Sequence, residues 1–208
     1  MSHSAVALQQ PVAGMEQSPF RVVSKKLVMW LFIISDAVTF GAILFGYGYL
    51  RNASPAWPHP FRFSPSILNV MVMTFVLVTS SLTMLLALRA ANLGEKRKAI
   101  GWIGATVLGG FIFAVLHIRE WLGLIHEGMG MSHNPWGEPL FGGSFFAITG
   151  LHLTHVVIGI IALTVVALGY SRGRYTSHDI EVWSLYWHFV DLVWMFVVPL
   201  VYLLSIAR

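Results

Sequence analysis

One stretch of the chain, Pro139 to Ser171, reads PLFGGSFFAITGLHLTHVVIGIIALTVVALGYS and contains no Asp, Glu, Lys or Arg. A transmembrane helix needs about 20 mostly apolar residues to cross a hydrocarbon core about 30 Å thick. In that apolar layer no water hydrogen-bonds to the backbone, so a crossing segment satisfies its own amides by forming a helix. The stretch therefore predicts a membrane-spanning helix.

The same pattern occurs four more times along the 208-residue chain, in runs that are almost free of charge. The five predicted spans lie at about 26–50, 64–90, 98–125, 140–171 and 181–207. We therefore predict an all-α, polytopic membrane protein whose residues 25–208 form a five-helix transmembrane domain. Residues 1–24 are polar and lack a short apolar core, which indicates an N-terminal cytoplasmic segment and not a signal peptide.

The composition supports this class of protein. Hydrophobic residues make up 56% of the chain and charged residues 11%, whereas a soluble domain carries about 25% charged residues. These values exclude an ordinary soluble enzyme and a disordered chain, and the absence of cysteine excludes a disulfide scaffold. In a membrane protein, the formal net charge of +4 reflects the excess of basic residues in cytoplasmic loops. No nucleic-acid partner is predicted.

The lysines and arginines are distributed unequally between the two sides of the predicted spans. Because cytoplasmic loops carry the excess of basic residues, the distribution predicts a cytoplasmic N-terminus and, with five spans, a C-terminus outside. Nine basic residues lie on the predicted cytoplasmic side: Arg21, Lys25, Lys26, Arg89, Lys96, Arg97, Lys98, Arg172 and Arg174. Three lie on the other side: Arg51, Arg62 and Arg208.

Several ionisable side chains lie inside the predicted spans. A charge at the bilayer centre costs about 2.5–3.5 kcal/mol on insertion scales, so each such residue needs a partner, a water-lined cavity or a function. The candidate residues are Asp36, Glu120, His152, His155, His188 and Asp191. His152 with His155, and His188 with Asp191, are three residues apart and so face one side of their helices. This pattern predicts a polar seam inside the helix bundle.

Two interpretations of these residues remain open at this point: hydrogen bonds that hold the helices together, and a role in proton transfer. No metal site is predicted, because the His-x-x-His and His-x-x-Asp spacings differ from the paired Glu-x-x-His motifs of di-iron bundles. The spacing does not call for a haem either, although composition alone does not exclude one. No catalytic residues are predicted.

Residues 183–194, WSLYWHFVDLVW, closely resemble the last-helix signature of subunit III of haem–copper oxidases. Phe32 to Asp36, FIISD, is similar to the first-core-helix motif of that family. Gly143 to His152, GSFFAITGLH, continuing to His155, is similar to its Thr-Gly-Phe-His-Gly-x-His-Val helix. Glu120 falls where the third core helix of the family has its Glu. The resemblance runs from about residue 26 to residue 207.

The resemblance implies the short, five-helix bacterial form of subunit III, with a V-shaped bundle of two helices plus three. The function it implies is that of a non-catalytic, accessory subunit of a proton-pumping terminal oxidase, most readily a cytochrome c oxidase of aerobic respiration. It implies that this chain holds no cofactor and that haem and copper lie in subunits I and II. It also implies that the chain contacts subunit I directly and binds phospholipids. The implied location is the bacterial inner membrane.

By position, Asp36 corresponds to the intramembrane carboxylate of the family, and the other five polar candidates correspond to its remaining polar positions. Two departures are visible. The family usually has Glu where this chain has Asp36, and it has Gly-x where this chain has Leu153 and Thr154 between the two histidines.

Alternative functions remain open on the sequence alone. The near alternatives are subunit III of a quinol oxidase or of a nitric-oxide-reductase-associated complex, and the distant ones are a b-type cytochrome and a proton-coupled transporter. Arg172 and Arg174 are candidates for anionic lipid headgroups, since each basic residue near such a surface contributes about 1 kcal/mol. The other interpretation of the two arginines is that they only determine topology.

Overall fold

A computed structural model describes residues 24–206 as a bundle of five long helices. All five are long and apolar enough to cross a membrane, and the described residues contain no β-strand, which confirms the all-α, five-helix prediction. The predicted N-terminal segment lies almost entirely outside the described residues. The helices are α1 (Ser24–Ala53), α2 (Leu68–Asn92), α3 (Lys96–His126), α4 (Leu140–Ser171) and α5 (Ser177–Val197).

Local sequence signals explain how α5 begins and ends. Thr176 and Asp179 form a capping box at its start, in which the Thr176 backbone N–H donates to Asp179 Oδ2 at 2.9 Å. Pro199 follows the last residues of α5, and proline has no N–H to donate within a helix. The chain therefore continues as a wider π-type turn at Val198–Tyr202 and a short 3₁₀ turn at Leu203–Ser205.

Helices α2, α3, α4 and α5 pack around one another, and α1 lies outside them. The largest contact joins α2 to α3, and further contacts join α3 to α4, α4 to α5 and α2 to α5. Helix α1 packs against α5 and, less extensively, α4. Its outward face carries large apolar side chains such as Phe45, which is 79% exposed. This packing does not show the expected V of two helices plus three.

Trp187 on α5 fills the centre of the four-helix core. It is 1% exposed, and its Nε1 donates to Ser80 Oγ on α2 at 3.1 Å. Gly110 on α3 and Gly159 on α4 leave the space that the indole occupies: a Cβ at Gly110 would lie 2.5 Å from Trp187 Cη2, and one at Gly159 would lie 2.9 Å from Trp187 Cε3. The two glycines therefore allow three helices to close on one large side chain.

Gly110→Ala should destabilise the subunit by about 1–3 kcal/mol, the usual cost of overpacking a well-filled core. The added methyl group has no free direction, because it would also lie 3.0 Å from Ile160 Cγ1. Thermal unfolding of the purified subunit in detergent measures the effect. Gly104→Ala on the same helix is the control, since nothing lies within 4 Å of its Cβ position. Equal melting temperatures for the two variants would contradict this packing.

Candidate functional site in the membrane interior

The first polar group is a pair that joins α1 to α4. Asp36 Oδ2 lies 3.0 Å from His155 Nε2, and His155 Nδ1 lies 2.8 Å from the Leu151 carbonyl oxygen. A carbonyl oxygen only accepts, so Nδ1 carries a proton. One further proton must lie between Nε2 and Oδ2, because two bare lone pairs would repel at this distance. The pair therefore has no net charge, which lowers the cost of placing it within the membrane.

Aromatic side chains surround this pair on the bundle side. Phe40 packs its ring against His155 with 5.3 Å between ring centroids, and the Tyr186 hydroxyl donates to the His155 carbonyl oxygen at 3.0 Å. The His155 side chain is 12% exposed and the Asp36 side chain 18% exposed. The pair is thus largely shielded, with a small opening to its surroundings.

The second group lies deeper, where α3, α4 and α5 meet. His117 and Glu120 come from α3, His152 from α4, and Trp194 from α5. Both histidines are fully buried, and the His152 ring stacks on Trp194 with 5.0 Å between centroids. Glu120 Oε2 accepts a hydrogen bond of 3.0 Å from the Tyr202 hydroxyl, but lies 3.8 Å from His117 Nδ1, which is too long for another.

The third group lies at the contact of α2 with α5 and is only half-buried. Ser81 Oγ on α2 lies 3.0 Å from His188 Nδ1 on α5. Asp191 follows His188 by three residues, and its inaccessible Oδ1 has no hydrogen-bond partner among the described residues. This group thus combines an incompletely satisfied carboxyl with a position at the edge of the bundle.

The structure therefore distributes the six sequence-predicted residues over three separate groups. His152 and His155 share a helix face but contact different neighbours: His155 pairs with Asp36 on α1, whereas His152 turns into the core. Arg172 and Arg174 lie exposed in the turn between α4 and α5. Among the residues described, no three His, Asp or Glu side chains are grouped so that they could hold a metal ion.

Three further residues belong to these groups but are not predicted by the sequence pattern: Ser81, Trp194 and Tyr202. Ser and Thr are common in membrane helices, and nothing in the spacing of Ser81 separates it from its neighbours. A signal for Tyr202 was available, since a hydroxyl beyond Pro199 lies at the same end of the bundle as Glu120.

Two ion pairs connect the starts of α1 and α5. Lys25 Nζ lies 2.7 Å from Asp179 Oδ1, and Lys26 Nζ lies 2.6 Å from Glu181 Oε1. At the opposite end, the Tyr47 hydroxyl lies 3.1 Å from Ser205 Oγ. Helices α1 and α5 are therefore parallel: the ion pairs join their starts, and Tyr47 near the end of α1 contacts the 3₁₀ turn that follows α5.

Comparison with known proteins adds an independent finding. The profile of the family described as cytochrome c oxidase subunit III matches residues 14–206. The chain is 34% identical to the cytochrome bo(3) ubiquinol oxidase subunit 3 of Pseudomonas aeruginosa, over 85% of this chain and 83% of the relative. It is 32% identical to the quinol oxidase subunit 3 of Bacillus subtilis, over 87% of both chains. It is 31% identical to the cytochrome c oxidase subunit 3 of Bacillus sp. strain PS3, over 95% and 94%.

Proposed function

Because the chain belongs to the cytochrome c oxidase subunit III family and is thus an accessory subunit of a haem–copper oxidase, we propose that it stabilises the catalytic subunit, holds phospholipids and supports proton uptake. It does so without a redox centre of its own; haem and copper belong to subunits I and II. The Asp36–His155 pair is the observation that carries the proton-related part of this proposal.

The proposed orientation places the starts of α1 and α5 at the cytoplasmic face of a bacterial inner membrane. The ion pairs of Lys25 and Lys26 support it, because they hold these two helix starts at one end of the bundle. The basic residues at 89–98 and 172–174 belong to the same end, since successive helices alternate in direction. The excess of positive charge there is what cytoplasmic loops carry.

The Asp36–His155 pair suits a proton-related role because it already shares one proton and is not fully closed off. It lies about 18 Å from the start of α1, at 1.5 Å of rise per residue. A carboxyl group hydrogen-bonded to an imidazole at that depth can pass a proton across the contact, as one step on a route to a neighbouring catalytic subunit.

Asp36→Asn should leave the oxidase assembled but shorten its lifetime during turnover or slow its proton uptake. The amide still hydrogen-bonds to His155, but it cannot bind and release a proton. The measurement is O₂ consumption by the purified complex until activity decays, together with proton uptake from a weakly buffered medium. Thr39→Val on the same helix is the control, because its hydroxyl donates to the Ser35 carbonyl oxygen of its own helix at 3.0 Å. Unchanged turnover and unchanged inactivation in Asp36→Asn would leave the pair a purely structural role.

The half-buried group of Ser81, His188 and Asp191 is the proposed contact with another subunit of the complex. A carboxyl oxygen without a partner is expensive in hydrocarbon, and polar residues within membrane spans usually face protein or a water-filled cavity. The catalytic subunit, packed against this edge of the bundle, would cover the half-buried Asp191 side chain and exclude lipid from it.

Asp191→Leu should lower the amount of this subunit that stays with the complex during purification. The substitution replaces a polar side chain at the proposed contact with an apolar one, which suits lipid as well as protein. The ratio of this chain to the catalytic subunit, measured by quantitative mass spectrometry, reports the loss. Met195→Leu is the control, because Met195 is 49% exposed one turn further along α5 and the substitution exchanges one apolar side chain for another. Normal retention of Asp191→Leu would contradict the proposed contact.

Bound phospholipid is proposed at two places. A groove of about 680 Å³ lies between α1 and α5, and its lining is almost wholly apolar, which suits an acyl chain. It runs beside residues 37–52 of α1, away from Arg172 and Arg174. The two arginines are therefore proposed as headgroup contacts of a different lipid, at the cytoplasmic face.

The electron donor proposed is cytochrome c, in keeping with the family description. The quinol oxidase alternative is favoured by the names of the Pseudomonas aeruginosa and Bacillus subtilis relatives. The identity of the partner chains separates the two, because a copper-binding subunit II indicates cytochrome c as the donor.

A further inference from the structure

Four adjacent side chains inside the bundle carry polar atoms that have no hydrogen-bond partner within residues 24–206. We call them the histidine chamber: His117, Glu120 and Trp121 on α3, and His152 on α4. The unpartnered atoms are both ring nitrogens of His117, both ring nitrogens of His152, Glu120 Oε1 and Trp121 Nε1. Each of these six atoms is inaccessible to solvent. Because buried polar atoms in proteins are almost always hydrogen-bonded, six together indicate a bound species.

The chamber is compact, and its walls are aromatic. The rings of Phe113 and Trp194 each contact both histidine rings and also contact each other. The centroid distances of these five contacts lie between 4.8 and 5.6 Å. Trp121 lies beside His117 with 5.3 Å between centroids. The two imidazoles and the Trp121 indole therefore lie close together, and Phe113 and Trp194 pack against both imidazoles.

The unpartnered atoms determine what kind of species fits. Trp121 offers an N–H, each neutral histidine offers one N–H and one bare nitrogen, and Glu120 Oε1 accepts. The ligand must therefore both accept and donate hydrogen bonds. A metal ion would leave the N–H groups unpaired, and among residues 24–206 no three His, Asp or Glu side chains are grouped so that they could hold one. The Glu120 carboxyl disfavours an anion. Water meets the requirement and is small enough for a buried site.

We propose that the histidine chamber binds ordered water, which bridges α3 to α4 through His117, Glu120 and His152. A buried water makes about three hydrogen bonds, so six unpartnered atoms call for at least two waters. Because Glu120 also accepts from Tyr202, these waters would extend the network to the π-type turn that follows α5. This proposal does not depend on the role in proton uptake proposed above.

Hydroxyl-radical footprinting of the intact oxidase tests the proposal, because waters held beside a side chain generate radicals locally. Trp194 and Trp187 form a matched pair of reporters: both are buried and both Nε1 groups are hydrogen-bonded, but only Trp194 lines the chamber. We expect Trp194 to be oxidised several times faster than Trp187. In His117→Phe combined with His152→Phe, the Trp194 rate should fall to that of Trp187.

Equal oxidation of Trp194 and Trp187 in the unaltered complex would overturn the proposal. So would fast oxidation of Trp194 that persists in the double variant, because the reactivity would then not come from water at the histidines. Should the variant fail to assemble, a density map of the unaltered complex decides. Water within hydrogen-bond distance of His117 and His152 supports the proposal, and a dry chamber refutes it.

Discussion

Asp36→Leu should cost the subunit about 3–5 kcal/mol of stability, the effect expected when one partner of a buried, paired group is removed. The leucine leaves His155 Nε2 without a partner in a poorly solvated place. Helix α1 also loses its polar contact near the middle of the span, between the ion pairs at one end and Tyr47 at the other. Unfolding of the purified subunit in detergent, followed by circular dichroism, measures the change.

A double-mutant cycle distinguishes the pair from two independent residues. His155→Leu alone should cost a similar amount, and the combination with Asp36→Leu should recover much of the loss, because two apolar side chains suit the surrounding hydrocarbon. If the two single effects simply add in the double variant, the pair contributes no coupling and the proposed attachment of α1 is wrong.

Trp194→Ala should have an effect of comparable size, about 3–5 kcal/mol, through the loss of a large buried ring and the cavity that remains. The indole contacts Phe113, both histidines of the chamber and Tyr202, and its Nε1 donates to Thr74 Oγ1 at 3.0 Å. Thermal unfolding of the purified subunit provides the measurement.

Two further variants determine which part of the Trp194 side chain matters. Trp194→Phe keeps most of the ring and removes the hydrogen bond, so its loss should be intermediate. Trp102→Ala is the control for removing an indole, because Trp102 is 38% exposed on α3. Equal losses for Trp194→Ala and Trp102→Ala would contradict the central position of Trp194 in the core.

The five helices were predictable because a segment that crosses the hydrocarbon must satisfy its own backbone groups, and it does so by forming a helix. Each span shows itself as a run almost free of charge, whatever its neighbours are. The packing of α1 outside the other four helices was not predictable in the same way. The exposed and buried sides of an all-apolar helix differ little in hydrophobicity, so its sequence does not say which helix it meets.

The polar residues show the same limit at the scale of single side chains. The spacing of His152 and His155 predicts that both lie on one side of α4. Positions three apart on a helix are nevertheless separated by about 60° around its axis. That angle is enough for His155 to meet Asp36 on α1 while His152 meets Trp194 on α5. Partners such as Ser81 and Tyr202 depend on the relative register of two helices, which neither helix encodes alone.

Purification of the oxidase through a tag on this chain, followed by optical spectra before and after the chain is separated, tests whether the chain is an accessory subunit without a redox centre. We predict that a haem-bearing catalytic subunit copurifies, that the haem absorption stays with that subunit, and that the separated chain is colourless. Haem bound to the isolated chain, or purification without any catalytic subunit, would contradict its assignment as an accessory subunit without a redox centre.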